Sequence, residues 1–385
     1  MPLTRRQWLA CSGLSLLTAC RRAKATGYPG YALIATSGDK SLGVVDLTSF
    51  SLKPAIALGS APTAVVPHPS GDRSYVLTPS SGSVHLIDSQ LRRTASHRLS
   101  DVLSELRITG DGKHLVAVSP EMHELIEADP ASLRVVARHK LAAEPIGLDV
   151  AYTGQVAVST GAHRSVELID LRTGRHTQAS MPGDVGAVRF RGDGQMLLVA
   201  NLPNRSLSVL SVPSLQTVAE LPLAMKPENL CFNSDQGQLF VSGEGMDAVA
   251  IVFPYTPLEV EQTILAGRDP GVMACSASPG EGDLFVASQT GSDVCILNID
   301  SRKMLGVVEV GLKPTYITTT PDSQYALILD ELSGDMAVIR IPAIRTYHAP
   351  GGSSGYWLPR LPASLFTMLP VGDKPVHAAI MSRAA

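Results

Sequence analysis

The chain has 385 residues, of which 44% are hydrophobic and 17% charged, and its formal net charge is −3. This weakly acidic composition gives no sign of nucleic-acid binding, which depends on clustered Lys and Arg. A chain of this length usually forms two domains, unless internal repeats build a single closed unit.

Residues 1–19 predict a signal peptide. Arg5 and Arg6 precede an apolar stretch ending in LTAC at Cys20, which resembles a bacterial lipobox. We expect cleavage before Cys20 and lipidation of that cysteine, leaving a net charge of about −5 and a protein anchored to a bacterial membrane, periplasmic or at the cell surface. The alternatives are a Sec signal with an incidental cysteine or a short membrane anchor. TRRQWL at 4–9 also resembles a twin-arginine signal, so the export route stays open.

The segment 20–30 predicts a lipidated tether between the anchor and the folded domain. It is short, basic and contains Gly and Pro (CRRAKATGYPG). Its cations would be attracted to an anionic leaflet, or would form a plain solvated linker.

Four short apolar runs, separated by turns, recur about every forty residues from position 31 onward. Residues 283–324 show the unit: DLFVAS, DVCILNI, KMLGVVEV and TYITTT, bounded by Gly, Pro, Asp or Ser. Each run has the length and the β-branched content of a strand, and none has a helical period. Four strands per repeat of this length predict a β-propeller with one blade per repeat.

The repeats resemble those of the YVTN family of bacterial propellers. The resemblance rests on TPSSGSVHLID (78–88), VANLPNRSLSVL (199–210) and TPDSQ (320–324), and it extends over about 31–382. It implies that the run after each Pro-containing loop is the innermost strand of a blade. That family is defined by its scaffold, so the resemblance implies a fold and not an activity.

With this strand order, the chain is expected to be an all-β protein with eight four-stranded blades, or seven if one unit is degenerate. It begins with the second strand of a blade at Tyr31 and ends with an innermost strand near Ile380. The last strand should therefore join the N-terminal blade and close the ring without a free edge. Residues 31–385 would form a single domain, with an insertion at 342–362.

The insertion carries Tyr347, His348, Tyr356 and Trp357. It connects the third and fourth strands of the last blade, on the face where the tether enters. We expect its aromatic side chains to contact lipid or a membrane partner, or else to cap the seam of the ring.

Cys231, Cys275 and Cys295 are the cysteines of the mature body, apart from the signal cysteines Cys11 and Cys20. Cys275 and Cys295 fall on the first and third strands of one blade, about 9–10 Å apart, which disfavours a disulfide between them. Cys231 and Cys275 lie on innermost strands of neighbouring blades and could approach each other. Free thiols are the expected state.

Ligands of propellers commonly bind at the loop face near the mouth of the central axis. Residues two positions after the loop prolines should ring that mouth, and the polar ones are Asn229, Tyr316 and His377. Asn201 and Glu228 are added as candidates from the surrounding loops. Neither a metal site nor a cofactor is predicted, because the His residues are scattered and no CxxC or CxxCH motif occurs.

The function favoured by these observations is an exported, lipid-anchored scaffold that binds a protein or glycan partner through its loop face, as a monomer and without catalysis. The alternative is a propeller enzyme at the channel mouth, either a lactonase-like hydrolase or a haem-bearing electron-transfer domain. In that case His377 would be the base or axial ligand, with Arg268, Asp330 and Glu331 around it.

Overall fold

The computed structural model describes residues 27–277, 282–346, 361 and 364–382. Within these residues the chain forms thirty-two strands in eight antiparallel sheets of four. We number the sheets as blades 1 to 8 in chain order. The confirmed fold is thus the eight-bladed propeller, and not the seven-bladed alternative.

Blade 1 combines the first three strands with the last strand of the chain: β1 (Gly30–Thr36), β2 (Ser41–Asp46), β3 (Ser51–Ala57) and β32 (Pro375–Ser382). Blade 2 contains β4 (Ala64–Pro67), β5 (Arg73–Thr78), β6 (Ser83–Asp88) and β7 (Arg93–Arg98). Blade 3 contains β8 (Glu105–Ile108), β9 (Leu115–Ser119), β10 (Glu124–Ala128) and β11 (Val135–Lys140). Blade 4 contains β12 (Gly147–Val150), β13 (Gln155–Ser159), β14 (Ser165–Asp170) and β15 (His176–Ser180).

Blade 5 contains β16 (Val185–Phe190), β17 (Met196–Asn201), β18 (Ser206–Ser211) and β19 (Thr217–Pro222). Blade 6 contains β20 (Asn229–Phe232), β21 (Leu239–Ser242), β22 (Ala248–Phe253) and β23 (Glu259–Leu265). Blade 7 contains β24 (Pro270–Cys275), β25 (Asp283–Ser288), β26 (Asp293–Asn298) and β27 (Lys303–Glu309). Blade 8 contains β28 (Pro314–Thr319), β29 (Tyr325–Asp330), β30 (Asp335–Arg340) and β31 (Leu365–Pro370). A short helix, α1 (Ile341–Thr346), follows β30.

The burial of each strand follows its position within the blade. Second strands such as β29 are buried along their whole length, whereas outermost strands such as β3 are mostly exposed. The core lies between neighbouring blades: Tyr75 and Leu77 of blade 2, for example, belong to one apolar cluster with Leu115 and Ala117 of blade 3. A blade that is apolar on both faces cannot be stable alone, so the blades stabilise one another around the ring.

Short polar turns separate the strands. After several third strands an Asp accepts hydrogen bonds from turn N–H groups, as Asp88 does from Gln90 and Arg92 at 2.9 Å. Between first and second strands, Gly112 and Gly194 take φ values of +70° and +69°, a backbone conformation that glycine adopts without strain. These turns explain why the repeat can be recognised in the sequence.

The two ends of the described chain meet in blade 1. β1 pairs antiparallel with β32, placing Ala32 opposite Ile380, and the Tyr28 hydroxyl lies 2.7 Å from Ser382 Oγ. Each innermost strand also contacts the innermost strand of the next blade, including β32 with β4, all the way around. The predicted closure of the ring by the C-terminal strand is therefore confirmed.

The ring has two distinct faces. We call the one that carries the loops before the innermost strands, among them Pro227 and Pro375, the Pro-loop face. The opposite one, which carries the turns from first to second and from third to fourth strands, is the turn face. Because β32 runs from Pro375 to Ser382, the chain enters at Tyr28 on the turn face.

Candidate ligand site in the central channel

Four charged side chains of the innermost strands lie in the channel: Glu105 and Arg107 on β8, Asp149 on β12 and Arg189 on β16. All four are partly buried. A charge in a channel is solvated less well than one on the surface, so each needs a partner or a ligand.

Arg107 has a partner within its own strand. Its Nη2 lies 3.1 Å from Glu105 Oε2, and its Nη1 donates to the carbonyl oxygen of Leu106 at 3.1 Å. Burial raises the pKa of Glu105, and the charges of Arg107 and Arg189 oppose that rise. The pair is therefore close to neutral as a unit.

Arg189, in contrast to Arg107, has no carboxylate partner among the described residues. Its Nη1 donates to the carbonyl oxygen of Val188 at 2.8 Å, but no carboxylate oxygen of the described residues lies within 4.0 Å of its guanidinium nitrogens. Asp149 lies beyond ion-pair distance of Arg189. Its Oδ2 instead accepts a hydrogen bond from the Phe190 N–H at 2.7 Å. Burial raises the pKa of Asp149, and Arg189 opposes that effect.

Two cavities lie in the part of the channel that blades 3 to 6 form, and Arg189 lines both. The first, about 320 Å³, opens at the Pro-loop face and is also lined by Arg107, Lys226 and Glu228. The second, about 520 Å³, opens at the turn face and is also lined by Asp149 and Cys231. Arg189 thus lies where the two cavities approach each other.

His377 and Tyr316, both predicted at the channel mouth, are in contact. Their ring centroids are 4.2 Å apart, and His377 Nδ1 accepts a weak hydrogen bond from the Val65 N–H at 3.4 Å. Burial lowers the pKa of His377 to about 4, with the charge of Arg107 adding to the effect, and burial raises the pKa of Tyr316 to about 12. Both side chains are therefore neutral at pH 7.

Glu228 and Asn229 lie at the start of β20. Glu228 is exposed, lines the first cavity, and its Oε1 lies 3.4 Å from Lys226 Nζ. Asn229 is partly buried and pairs with Ser242 in the sheet. The two residues border the Pro-loop mouth at the same blade.

Asn201 does not face the mouth. It is fully buried at the end of β17, where its Nδ2 donates to Ser208 Oγ at 2.6 Å and to Glu220 Oε1 at 2.8 Å. These bonds connect the outer three strands of blade 5. Asn201 is thus a structural residue of the blade, and it is left out of the candidate site.

The four residues of the enzyme alternative are dispersed. Arg268 is exposed in the loop before β24, Glu331 Oε2 pairs with Lys313 Nζ at 2.7 Å, and Asp330 is fully buried at the end of β29. Within the described residues, no hydrogen bond or ion pair joins any of these three to His377. They do not form a contiguous catalytic group.

Glu105, Arg107, Asp149 and Arg189 were not predicted from the sequence. A signal was present, because each is a charged residue inside the innermost run of its blade (ELRI, GLDV, VGAVRF). A charge within a strand that is expected to be buried on both faces points to the axis of the ring, the one place where water reaches an innermost strand.

Several predictions fall outside the described residues, namely the lipidation site Cys20 and the aromatic residues Tyr347, Tyr356 and Trp357. In the part of the chain that the structure describes, no three His, Cys, Asp or Glu side chains are arranged to hold a metal ion. No helix there has the length and apolarity to cross a membrane.

The overall fold can be compared with solved structures. The dihydro-heme d1 dehydrogenase NirN in complex with DHE superimposes with a TM-score of 0.75, at 15% identity, over 91% of this chain and 75% of that chain. Hydrazine synthase of Kuenenia stuttgartiensis gives 0.56 at 16% identity, over 72% of this chain and 95% of that chain. A functionally unknown protein of Desulfotomaculum acetoxidans DSM 771 gives 0.57 at 12% identity, over 92% and 100%.

These similarities establish the propeller fold. At such identities they carry no activity over to this chain. No protein-family model and no curated protein matches the sequence.

Proposed function

We propose that this propeller is a binding protein whose ligand places a carboxylate group in the first cavity, at the Pro-loop mouth of the channel. The observation that carries the proposal is the guanidinium group of Arg189, which lines that cavity and lacks a carboxylate partner among the described residues. A guanidinium group binds a carboxylate through two parallel hydrogen bonds, and it is less strongly hydrated than an ammonium group.

The other charges of the cavity are already balanced. Glu105 neutralises Arg107, and Glu228 Oε1 lies 3.4 Å from Lys226 Nζ. Among the described charged residues that line this cavity, Arg189 is therefore the one left for the ligand to match. A partly buried channel concentrates the field of such a charge and selects for an anion.

The ligand carboxylate can belong to an acidic sugar or to the end of a polypeptide, in agreement with the glycan or protein partner expected at the loop face. Isothermal titration calorimetry with the full chain distinguishes the sources. One comparison uses galacturonate and galactose oligomers, and the other uses a peptide with a free or an amidated C-terminus. We expect binding of the acidic member of one pair and no binding of its neutral counterpart.

The substitution Arg189→Gln should weaken that binding about 10- to 100-fold, because hydrogen bonds to a charged group contribute about 1.5–3 kcal/mol. Arg205→Gln is the matched control, since Arg205 is exposed on the same face and outside both cavities. Equal affinity of the Arg189→Gln variant, or equal binding of neutral and acidic ligands, would contradict the proposal.

The enzyme alternative finds less support in the channel. NirN is described as a dihydro-heme d1 dehydrogenase in complex with DHE, which makes a haem-type ligand the form of this alternative to consider at His377. The Val65 N–H lies 3.4 Å from Nδ1, a weak contact that favours the tautomer with its proton on Nε2, the nitrogen that would have to ligate iron. We therefore propose no haem ligation by His377, and an unchanged Soret band of haem on addition of the protein is the expected result.

We further propose that the chain is exported, cleaved before Cys20 and anchored through lipid on that residue. The entry of the chain on the turn face supports this, because an anchor there leaves the Pro-loop mouth facing away from the membrane. The Cys20→Ala variant should leave the membrane fraction. Any liposome binding that it retains would measure the contribution of Tyr347, Tyr356 and Trp357.

A further inference from the structure

Two cysteines face each other across the interface between blades 6 and 7. Cys231 on β20 and Cys275 on β24 are free and partly exposed, and their sulfur atoms are 3.9 Å apart. Cys231 also lines the second cavity, which opens at the turn face beside Arg189 and Asp149. Cys275 does not line this cavity, so a dissolved molecule that enters it reaches Cys231 before Cys275.

Cys295 provides the contrast within the same molecule. It lies on β26 with 2% of its surface exposed, and burial raises the pKa of its thiol to about 12. A thiol of that kind is inert.

The surroundings of the pair assign different roles to the two sulfur atoms. A hydrogen bond from Cys275 lowers the pKa of Cys231, and the charge of Arg189 acts in the same direction, whereas burial opposes both. The pKa of Cys275 is raised by the same hydrogen bond and by burial. Arg189 and Cys231 line the same cavity, so the charge of Arg189 favours the negative charge on Cys231 when one proton leaves the pair.

We propose that Cys231 and Cys275 form a redox-active dithiol, which exchanges with small-molecule disulfides that enter through the second cavity. Cys231 is the attacking thiolate and Cys275 the resolving thiol. The dithiol opens into the second cavity and the proposed carboxylate site into the first, and Arg189 lines both.

The exchange balances in two steps. The Cys231 thiolate attacks one sulfur of a small disulfide, forms a mixed disulfide and releases the other half as a thiolate. Cys275 then loses its proton and attacks the Cys231 sulfur, which closes the protein disulfide and releases the second half. The protein loses two protons and two electrons, equal to two hydrogen atoms, and the small disulfide gains them and is reduced to two thiols.

Closing the bond requires a local movement. The sulfur atoms must approach by about 1.9 Å to reach the length of a disulfide. The product would connect two adjacent innermost strands covalently, next to Arg189.

The experiment treats the reduced full chain with cystine and follows it by intact-mass spectrometry and peptide mapping. The wild-type protein should lose two hydrogen masses, with the new bond mapped to Cys231 and Cys275. The Cys275→Ser variant should instead retain a cysteinyl adduct on Cys231, because no resolving thiol is left. The Cys231→Ser variant should react at least tenfold more slowly, since the thiolate is lost.

Cys295→Ser is the control and should behave as the wild type. A measurement without any variant keeps the test independent of folding: iodoacetamide given to the native protein should label Cys231 before Cys275. Three results would overturn the proposal, namely a lasting cysteinyl adduct mapped to Cys231 of the wild type, reaction of Cys275 with cystine in the Cys231→Ser variant as fast as that of Cys231 in the wild type, or labelling of Cys275 first.

Discussion

Asp330 occupies a position that a neutral side chain occupies in every other blade. The last residue of the second strand is buried in all eight blades, and it is Thr36, Thr78, Ser119, Ser159, Asn201, Ser242, Ser288 or Asp330. Neutral residues at this position form hydrogen bonds; Ser242 Oγ of blade 6, for example, donates to the Gly271 carbonyl oxygen of blade 7 at 2.6 Å. Neither carboxyl oxygen of Asp330 has a hydrogen bond of normal geometry among the described residues. Blade 8 thus buries an acid where its relatives bury a hydroxyl or an amide.

This burial should make stability depend on pH. Burial raises the pKa of Asp330 to about 7, and the backbone of Gly311 offsets only part of that rise. Because the unfolded pKa is about 3.9, the unfolded chain releases the proton first, and the free energy of unfolding should fall between about pH 4 and pH 7. A difference of about three pKa units corresponds to a loss on the order of 4 kcal/mol. Below pH 4 the loss is absent.

Urea denaturation of the Asp330→Asn variant checks this expectation. The variant should be more stable than the wild type at pH 8 and of similar stability at pH 4, because its amide does not titrate. Glu121→Gln, at an exposed acid, serves as the control and should leave the pH profile unchanged. A wild-type profile that stays flat between pH 4 and pH 7 would show that Asp330 is solvated in the folded protein.

The channel charges illustrate what a sequence alone can predict about single residues. His377 and Tyr316 could be placed at the mouth because each follows a loop proline by two positions. Arg107 and Arg189 carry no such marker. Whether a residue of an innermost strand faces the channel or a neighbouring blade depends on the twist of each blade and on local bulges, such as the register shift between Val185 and Val188.

At the level of strands, the repeat was predictable because turn chemistry and burial act together in every copy. The turns select Asp and Gly, and the second and third strands, buried on both faces, select runs of apolar residues. The pairing of β1 with β32 could be inferred from strand order alone, although 346 positions separate Leu33 from its partner Ala379. That pairing is a property of the ring as a whole.

The closing strand should be essential for stability. Without β32, blade 1 would keep three strands, and β1 would expose its backbone groups as an unpaired edge. Met381 and Ala379, which are buried in the core between blades 1 and 2, would also be lost. We expect a chain that ends before Pro375 to lose its cooperative thermal transition and to aggregate on size-exclusion chromatography.

A chain lacking only residues 383–385 is the matched control, since it keeps all of β32. Its melting curve, followed by circular dichroism, should coincide with that of the full chain. A cooperative, monomeric unfolding transition of the chain that ends before Pro375 would mean that the ring closes without its last strand.

For the whole molecule, ring closure couples the position of the N-terminus to the direction of the ligand site. Tyr28 lies at the turn face, whereas the first cavity opens at the Pro-loop face. Blade strands of about six residues separate the two faces by about 20 Å. If lipid is attached at Cys20, the short tether holds the turn face near the bilayer and the candidate site points outward.

Energy transfer to an acceptor dye on lipid headgroups can measure this orientation. The donor dye is attached through Lys113→Cys, on the turn face, or through Arg205→Cys, on the Pro-loop face, in a lipidated chain whose Cys231, Cys275 and Cys295 are replaced by Ser. Both positions are exposed. Transfer should be stronger from position 113, because the efficiency falls steeply over a separation of about 20 Å. Addition of Cys20→Ala should abolish the difference, and equal or reversed transfer in the lipidated chain would show that the Pro-loop mouth does not face away from the membrane.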